Sequence, residues 1–282
     1  MSGRLARTLV SCVGAVCVST ALAAQAPAPA DAPQRFAPID MTGTWVSIVS
    51  EDWAVRMIPP PKGDFESLPL TPAAREAANA ADVGQLQAAG RACDAYGAPV
   101  LLRQPGRIRV SWQDGSTLKV EADAGQQTRL FQFARPAAPG APSLQGLSTA
   151  EWQYADGFDP RRATDALANA GRGRGGRGGG GGGGAFGGRG AAATAPTGGR
   201  LKVTTSNLTA GLLRKNGVPY SAATTVTEYF NLLTEPAGQQ WLIVTTIVHD
   251  PANLVVDYIM SSNFRKEPDG SKFKPEPCTL LR

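Results

Sequence analysis

Few side chains in this 282-residue chain have the chemistry to catalyse a reaction. The single histidine, His249, stands in Val248-His249-Asp250-Pro251, where a strand-like run meets a turn. A catalytic base needs a nucleophile and an orienting acid within reach. Asp250 is adjacent, but neighbours on an extended chain project to opposite sides, so His249 also reads as an exposed strand-end side chain. Glu228 is the second candidate. It shares a strand face with Val226 and Phe230, and a buried carboxylate with a raised pKa serves as an acid or base. The opposite phase turns Thr227 and Tyr229 inward and leaves Glu228 in water. No second acid is placed by spacing. Glu228, His249 and Asp250 are therefore the catalytic candidates, and the residues favour a non-catalytic chain.

Metal and cofactor chemistry is not expected. A zinc site needs three or four ligands from His, Cys, Asp and Glu, and no EF-hand spacing for calcium is present. Gly146-Leu147-Ser148-Thr149-Ala150 lacks the last glycine of the hydrolase elbow G-x-S-x-G. Gly171-Arg172-Gly173-Arg174-Gly175-Gly176 satisfies G-x-G-x-x-G, but follows no strand and opens no helix. Composition alone produces that match.

The first residues change how the rest is counted. Arg4 and Arg7 precede an uncharged stretch over residues 9–22, and Ala21-Leu22-Ala23 ends it as a small-x-small site. That is the pattern of a cleavable secretory signal over residues 1–23. The apolar run is shorter than the ~20 residues of a membrane span, so no transmembrane anchor is expected after cleavage. The expected location is the periplasm or the exterior. Removing Arg4 and Arg7 takes the net charge from +5 to +3, and setting aside Arg172, Arg174, Arg177 and Arg189 takes it to −1. The basic charge thus belongs outside the folded domain, and no nucleic-acid partner is expected. Of the four cysteines, Cys12 and Cys17 leave with the signal. Cys93 and Cys278 remain in an oxidising compartment, as one disulfide or as two separate thiols.

The elements that must position these residues are mostly strands. Residues 24–38 are Ala/Pro-rich and read as disordered. Strands are expected over 42–50 and 53–58, and Pro59-Pro60-Pro61 ends the second. Thr71-Pro72 is a helix start, with helices over 73–81 and 83–93. Residues 107–112 alternate, Asp114-Gly115 makes a hairpin turn, and 117–123, 128–133 and 147–154 follow as strands. Residues 157–199 contain GRGRGGRGGGGGGGAFGGRG, which buries nothing and reads as a flexible insert within one domain over 39–282. Four further strands are expected at 201–208, 224–233, 241–248 and 255–264, with turns at Asn216-Gly217 and Pro236-Ala237-Gly238. The run 241–248 (WLIVTTIV) reads as covered on both faces. Nine or ten strands with short connections predict a mainly β fold, a single antiparallel up-and-down barrel with a short helical segment near the N-terminus. A curled sheet around the helices is the alternative.

Gly43-Thr44-Trp45 is similar to the G-x-W signature of lipocalin-like (calycin) barrels. That resemblance implies a tryptophan packed across one barrel end beside a basic residue of the last strand, here Arg265. A wider resemblance runs through EDWAVRMIPPPKGDFESLPL, ACDAYGAP, WQDGSTLKVEADAGQQTRLFQF, LRKNGVPYS, TEYFNLLTEP and KEPDGSKFKPEPC. These segments resemble a group of exported bacterial proteins without an assigned activity. It implies one domain and pairing of Cys93 with Cys278. The function expected is binding of a small apolar or amphipathic molecule, or of a cell-envelope partner, with a carboxylate-based periplasmic enzyme as the alternative. A barrel cavity would be lined by Trp112, Phe131, Phe133, Trp152, Tyr229 and Trp241, which serve equally well to fill a solid core.

Overall fold

The computed structural model describes residues 32–134, 138–155 and 198–281. The signal over 1–23 and all but the last two residues of the Gly/Arg insert lie outside these, as do residues 24–31.

Nine strands close into one barrel among the described residues. They are β1 (Gly43–Ile48), β2 (Arg107–Asp114), β3 (Thr117–Ala122), β4 (Gln127–Gln132), β5 (Leu147–Tyr154), β6 (Gly199–Ser206), β9 (Thr225–Thr234), β10 (Gln240–His249) and β11 (Tyr258–Lys266). A small hairpin outside the barrel, β7 (Gly211–Leu212) and β8 (Pro219–Tyr220), interrupts the order between β6 and β9. Closure is made by β1, which pairs antiparallel with both β2 and β11. One joint departs from the fully antiparallel expectation. β4 and β5 run parallel and share only the pairs Phe131↔Ser148 and Gln132↔Thr149. A parallel pair needs a connection of about a dozen residues or more, and the Pro-rich stretch 133–146 supplies it. Nothing in that stretch marks it as a crossover, because it carries turn residues without a helical pattern.

Alternation decides what enters the barrel. Ile108 and Val110, Leu118 and Val120, Leu201 and Val203, and Leu242 and Val244 are all buried in one cluster with Trp45, Phe131, Phe230 and Phe264. The Phe131 and Phe230 rings approach to 5.4 Å between centroids, although β4 and β9 are not neighbours. Side chains therefore cross the interior, as expected when a barrel of about this size fills itself. On β10 only Leu242, Val244, Thr246 and Val248 are buried, and the alternate residues are half-exposed apart from His249. The expectation of cover on both faces is thus corrected.

Three short helices and several turns cap one end. α1 (Trp53–Met57) occupies the segment expected as a second strand. It has no strand beside it to pair with, and Arg56 N–H→Asp52 O and Ile58 N–H→Ala54 O close it into a single turn. α2 (Pro72–Ala80) starts as the sequence indicates, with Thr71 Oγ1 accepting from Ala74 N–H and proline in the first turn. α3 (Val83–Ala88) is shorter than expected, because the chain turns at Gly90 and re-forms as a 3₁₀ turn over Ala92–Tyr96. Phe65, Leu68, Ala74 and Ala78 from this cap pack on Val226, Val248 and Met260 at the barrel end.

The Cys93–Cys278 disulfide ties the C-terminal tail to the cap, its Cα atoms 5.0 Å apart. Beside it Gly125 takes φ +73°, and a side chain there would run into the Tyr96 ring. Residues 32–38, expected to be disordered, are held at the opposite barrel end. Trp152 Nε1–H donates to Pro33 O, Tyr154 OH to Phe36 O, and Gln34 N–H to Gly115 O. Aromatic hydrogen-bond donors on β5, invisible to composition, fix that segment.

Candidate functional site

Glu228 takes the inward phase of β9 and is fully buried. It does not stand free. Arg129 of β4 donates Nη1–H to Oε1 at 2.8 Å and Nη2–H to Oε2 at 2.6 Å, with both side chains sealed from solvent. Arg129 Nη2 also reaches Thr205 Oγ1 at 3.0 Å, and the Ser148 and Thr205 hydroxyls are 2.7 Å apart. A two-pronged guanidinium–carboxylate pair is among the strongest hydrogen-bonded contacts available. A carboxylate held so, with no path to water, is a structural group.

The other catalytic candidates are dispersed. His249 is exposed at the end of β10, with Nδ1 2.7 Å from Asp257 Oδ1. Asp250 turns the other way and is buried. It accepts from Ser221 N–H and Oγ–H, Ala252 N–H and Asn253 Nδ2–H. Burial pushes the Asp250 carboxyl up, but these hydrogen bonds outweigh it and hold the group below the usual carboxylate range. Glu228, His249 and Asp250 are therefore not one constellation. Among the described residues no group of His, Cys, Asp and Glu is arranged to hold a metal ion.

The expected cavity lining also divides. Tyr229 lies on the outer face of β9, with the Arg200 guanidinium over its ring at 4.4 Å. Trp241 lies on the outer face of β10 and donates to Glu235 Oε1. Both are corrected: their strands turn the even-numbered neighbours inward. Phe131 is a core residue. Trp112, Phe133 and Trp152 cluster at one barrel end with centroids 5.1–6.5 Å apart, beneath the segment Pro33–Phe36. Trp45 packs at full burial and donates Nε1–H to Met41 O. The cation over its ring is Lys266, at 5.2 Å. Arg265 pairs opposite Val46 on the outward face, so the expected partner was one residue off.

Two concave surfaces with ligand chemistry lie at the capped end. A cleft of about 350 Å³ is walled by Ile58, Pro59, Pro61, Val83, Leu280 and Leu281, with Lys62, Lys215 and Asn216 at its polar edge. Its walls come from distant segments held together by specific bonds. Asn216 Nδ2–H donates to Pro61 O and Asp64 O. Leu280 N–H donates to Gln87 Oε1, and the disulfide fixes Cys278 just before it. Ile58 is 67% exposed and Leu281 49%, so apolar surface faces water here.

Next to this cleft, and sharing Pro59 and Lys215 with it, is a smaller cavity of about 50 Å³. Arg56, Arg103, Arg214 and Lys215 stand in its walls with Tyr258. Arg103 is committed to Asp52 Oδ2 and Ser261 O. Arg56 Nε–H donates to Arg103 O, Arg214 Nη2–H to Ser67 Oγ, and Lys215 Nζ–H to Tyr96 OH. Arg56 Nη2 and Arg214 Nη1 are buried with no acceptor. Each unmade bond costs about 1–3 kcal/mol, more for a charged group. Burial first, then the Arg103 charge, push the Arg56 guanidinium down to about 10, against the opposing pull of Glu51 and Asp52.

These four cations are not marked by any motif or periodicity, because they come from three separate stretches. A partial signal was present: LRKNGVPYS places Arg214 and Lys215 side by side with no acid in the segment, next to the Asn216-Gly217 turn. No protein-family model, no curated protein and no solved structure matches this chain.

Proposed function

We propose that this is an exported, non-catalytic binding protein whose barrel is a scaffold and whose ligand, a small molecule with an apolar part, lies in the cleft at the capped end. The observation that carries the reading is the cleft itself. It is a cleft of about 350 Å³ with mostly apolar walls open to solvent, while the barrel interior is occupied by side chains such as Phe131 and Phe230. Small-molecule sites are concave, mostly apolar and largely pre-formed, with a few polar groups that fix orientation. The disulfide and the Asn216 bonds supply that pre-formation. The carboxylates on which an enzymatic reading would rest are engaged elsewhere, Glu228 with Arg129 and Asp250 with Ser221.

Export enters as part of the same proposal, resting on the pattern over residues 1–23 and favoured by the compartment in which a disulfide persists. Native mass spectrometry of protein released from the periplasm tests the reading. The mature chain should begin at Ala24 and carry a small molecule that Ile58→Asp loses while keeping its fold. A clean apo mass from freshly released protein, in repeated preparations, contradicts it.

A further inference from the structure

Four cations converge on one small cavity. Arg56, Arg103, Arg214 and Lys215 line it; Arg103 is paired with Asp52, and Glu51 and Asp52 lie near Arg56. A single water needs about 10–15 Å³ of such space, so a cavity of about 50 Å³ has room for a handful of oxygen atoms. Two guanidinium nitrogens of residues that line it, Arg56 Nη2 and Arg214 Nη1, are buried and lack acceptors. Arginine presents N–H groups in a planar fork that matches phosphate and carboxylate oxygens. A phosphate monoester carries about −1.5 to −2 charges at neutral pH and three strong acceptor oxygens. Its negative charge suits a cavity lined by four cations, and it carries the kind of acceptor that the two nitrogens lack.

We propose that this cavity binds the phosphate monoester head group of an amphipathic ligand whose apolar part lies in the adjoining cleft. The inference rests on the cleft reading above and adds the chemical class of the head. Continuity supports it, because Pro59 and Lys215 line both spaces. Lys215 also retains donors beyond the one it gives to Tyr96 OH, so it stands where head and tail meet.

Calorimetric titration of the full mature protein with dodecyl phosphate, dodecanoate, dodecanol and inorganic phosphate tests this. Dodecyl phosphate should bind one per chain, and Arg56→Gln or Arg214→Gln should each weaken it about 10- to 100-fold, the usual worth of a charged hydrogen bond. Dodecanol should bind more weakly than dodecyl phosphate and equally well to wild type and variants. Thermal unfolding of each variant checks that it is folded, and Lys215→Gln provides a further test should Arg56→Gln prove unstable. Dodecanol binding as tightly as dodecyl phosphate overturns the head-group assignment and leaves the cleft reading standing. Tighter binding of dodecanoate overturns the choice of phosphate. Inorganic phosphate binding without gain from the alkyl chain upholds the cationic cavity and overturns the cleft. If none of the four binds, both fall.

Discussion

Arg129 and Glu228 meet inside the barrel at its weakest seam. β4 and β5 share two residue pairs, whereas Arg129 on β4 bonds to Thr205 on β6 and Glu228 on β9, with Ser148 on β5 within 3.4 Å. One guanidinium thus links four strands around the joint that the backbone ladder holds least. Breaking a buried pair by removing one partner leaves an uncompensated charge. Glu228→Gln or Arg129→Met should each cost about 3–5 kcal/mol in chemical unfolding, while Arg129→Met with Glu228→Leu should come within about 1–2 kcal/mol of wild type or exceed it. Asp250 makes a second residue-scale prediction. Its folded carboxyl lies below the ordinary aspartate value of 3.8, so its contribution is fully present above that pH and lost as pH falls through the lower folded value. Asp250→Ala should lose about 2–3 kcal/mol at neutral pH and unfold with a shallower dependence on pH below 4. An unchanged acid limb would show that the four donors to Asp250 do not stabilise its ionised form.

At the scale of elements, alternation made most strands legible. Residues such as Ile108, Val110, Leu118 and Val120 alternate with charges, and all four are buried. The turn signals at Asp114-Gly115, Asn216-Gly217 and Pro236-Ala237-Gly238 each sit between paired strands. Trp53–Met57 misled because its aromatic and β-branched content suits a strand, whereas pairing depends on a neighbour that the barrel does not offer there. The phase of β9 was open for the same kind of reason. Glu228 and Tyr229 are both plausible inside until Arg129 is known to lie opposite. The site at the capped end was the least legible, since its cations are gathered by loops whose paths no periodicity encodes. The insert leads to a prediction at this scale. Tyr154 pairs with Gly199 and Ala155 N–H donates to Gly198 O, so the two ends of residues 156–197 are already side by side. Closing a shorter loop changes stability by only about 0.6 kcal/mol per halving of length. Replacing 156–197 by an Asn-Gly turn should leave the thermal midpoint within a few degrees of wild type. A collapse of cooperative unfolding would mean that the insert is part of the fold.

For the molecule as a whole, the barrel's two ends are unlike. One is crossed by Pro33–Phe36 over Trp112, Phe133 and Trp152. The other carries the helical cap, the β7–β8 hairpin and the disulfide-tethered tail. The bridge spans 185 residues of sequence, a loop for which chain entropy gives at most about 5 kcal/mol. Cys93→Ser with Cys278→Ser should lower stability by up to that amount. It should also loosen the tail that carries Leu280 and Leu281, so ligand affinity falls more than the remaining fold would suggest. The central claim is that the barrel is a filled scaffold and that binding belongs to the capped end. A crystal structure of the protein with dodecyl phosphate tests it most directly. The account predicts the phosphate between Arg56 and Arg214, with the alkyl chain running past Pro59 towards Leu281. An alkyl chain threaded into the barrel between Phe131 and Phe230 would contradict it.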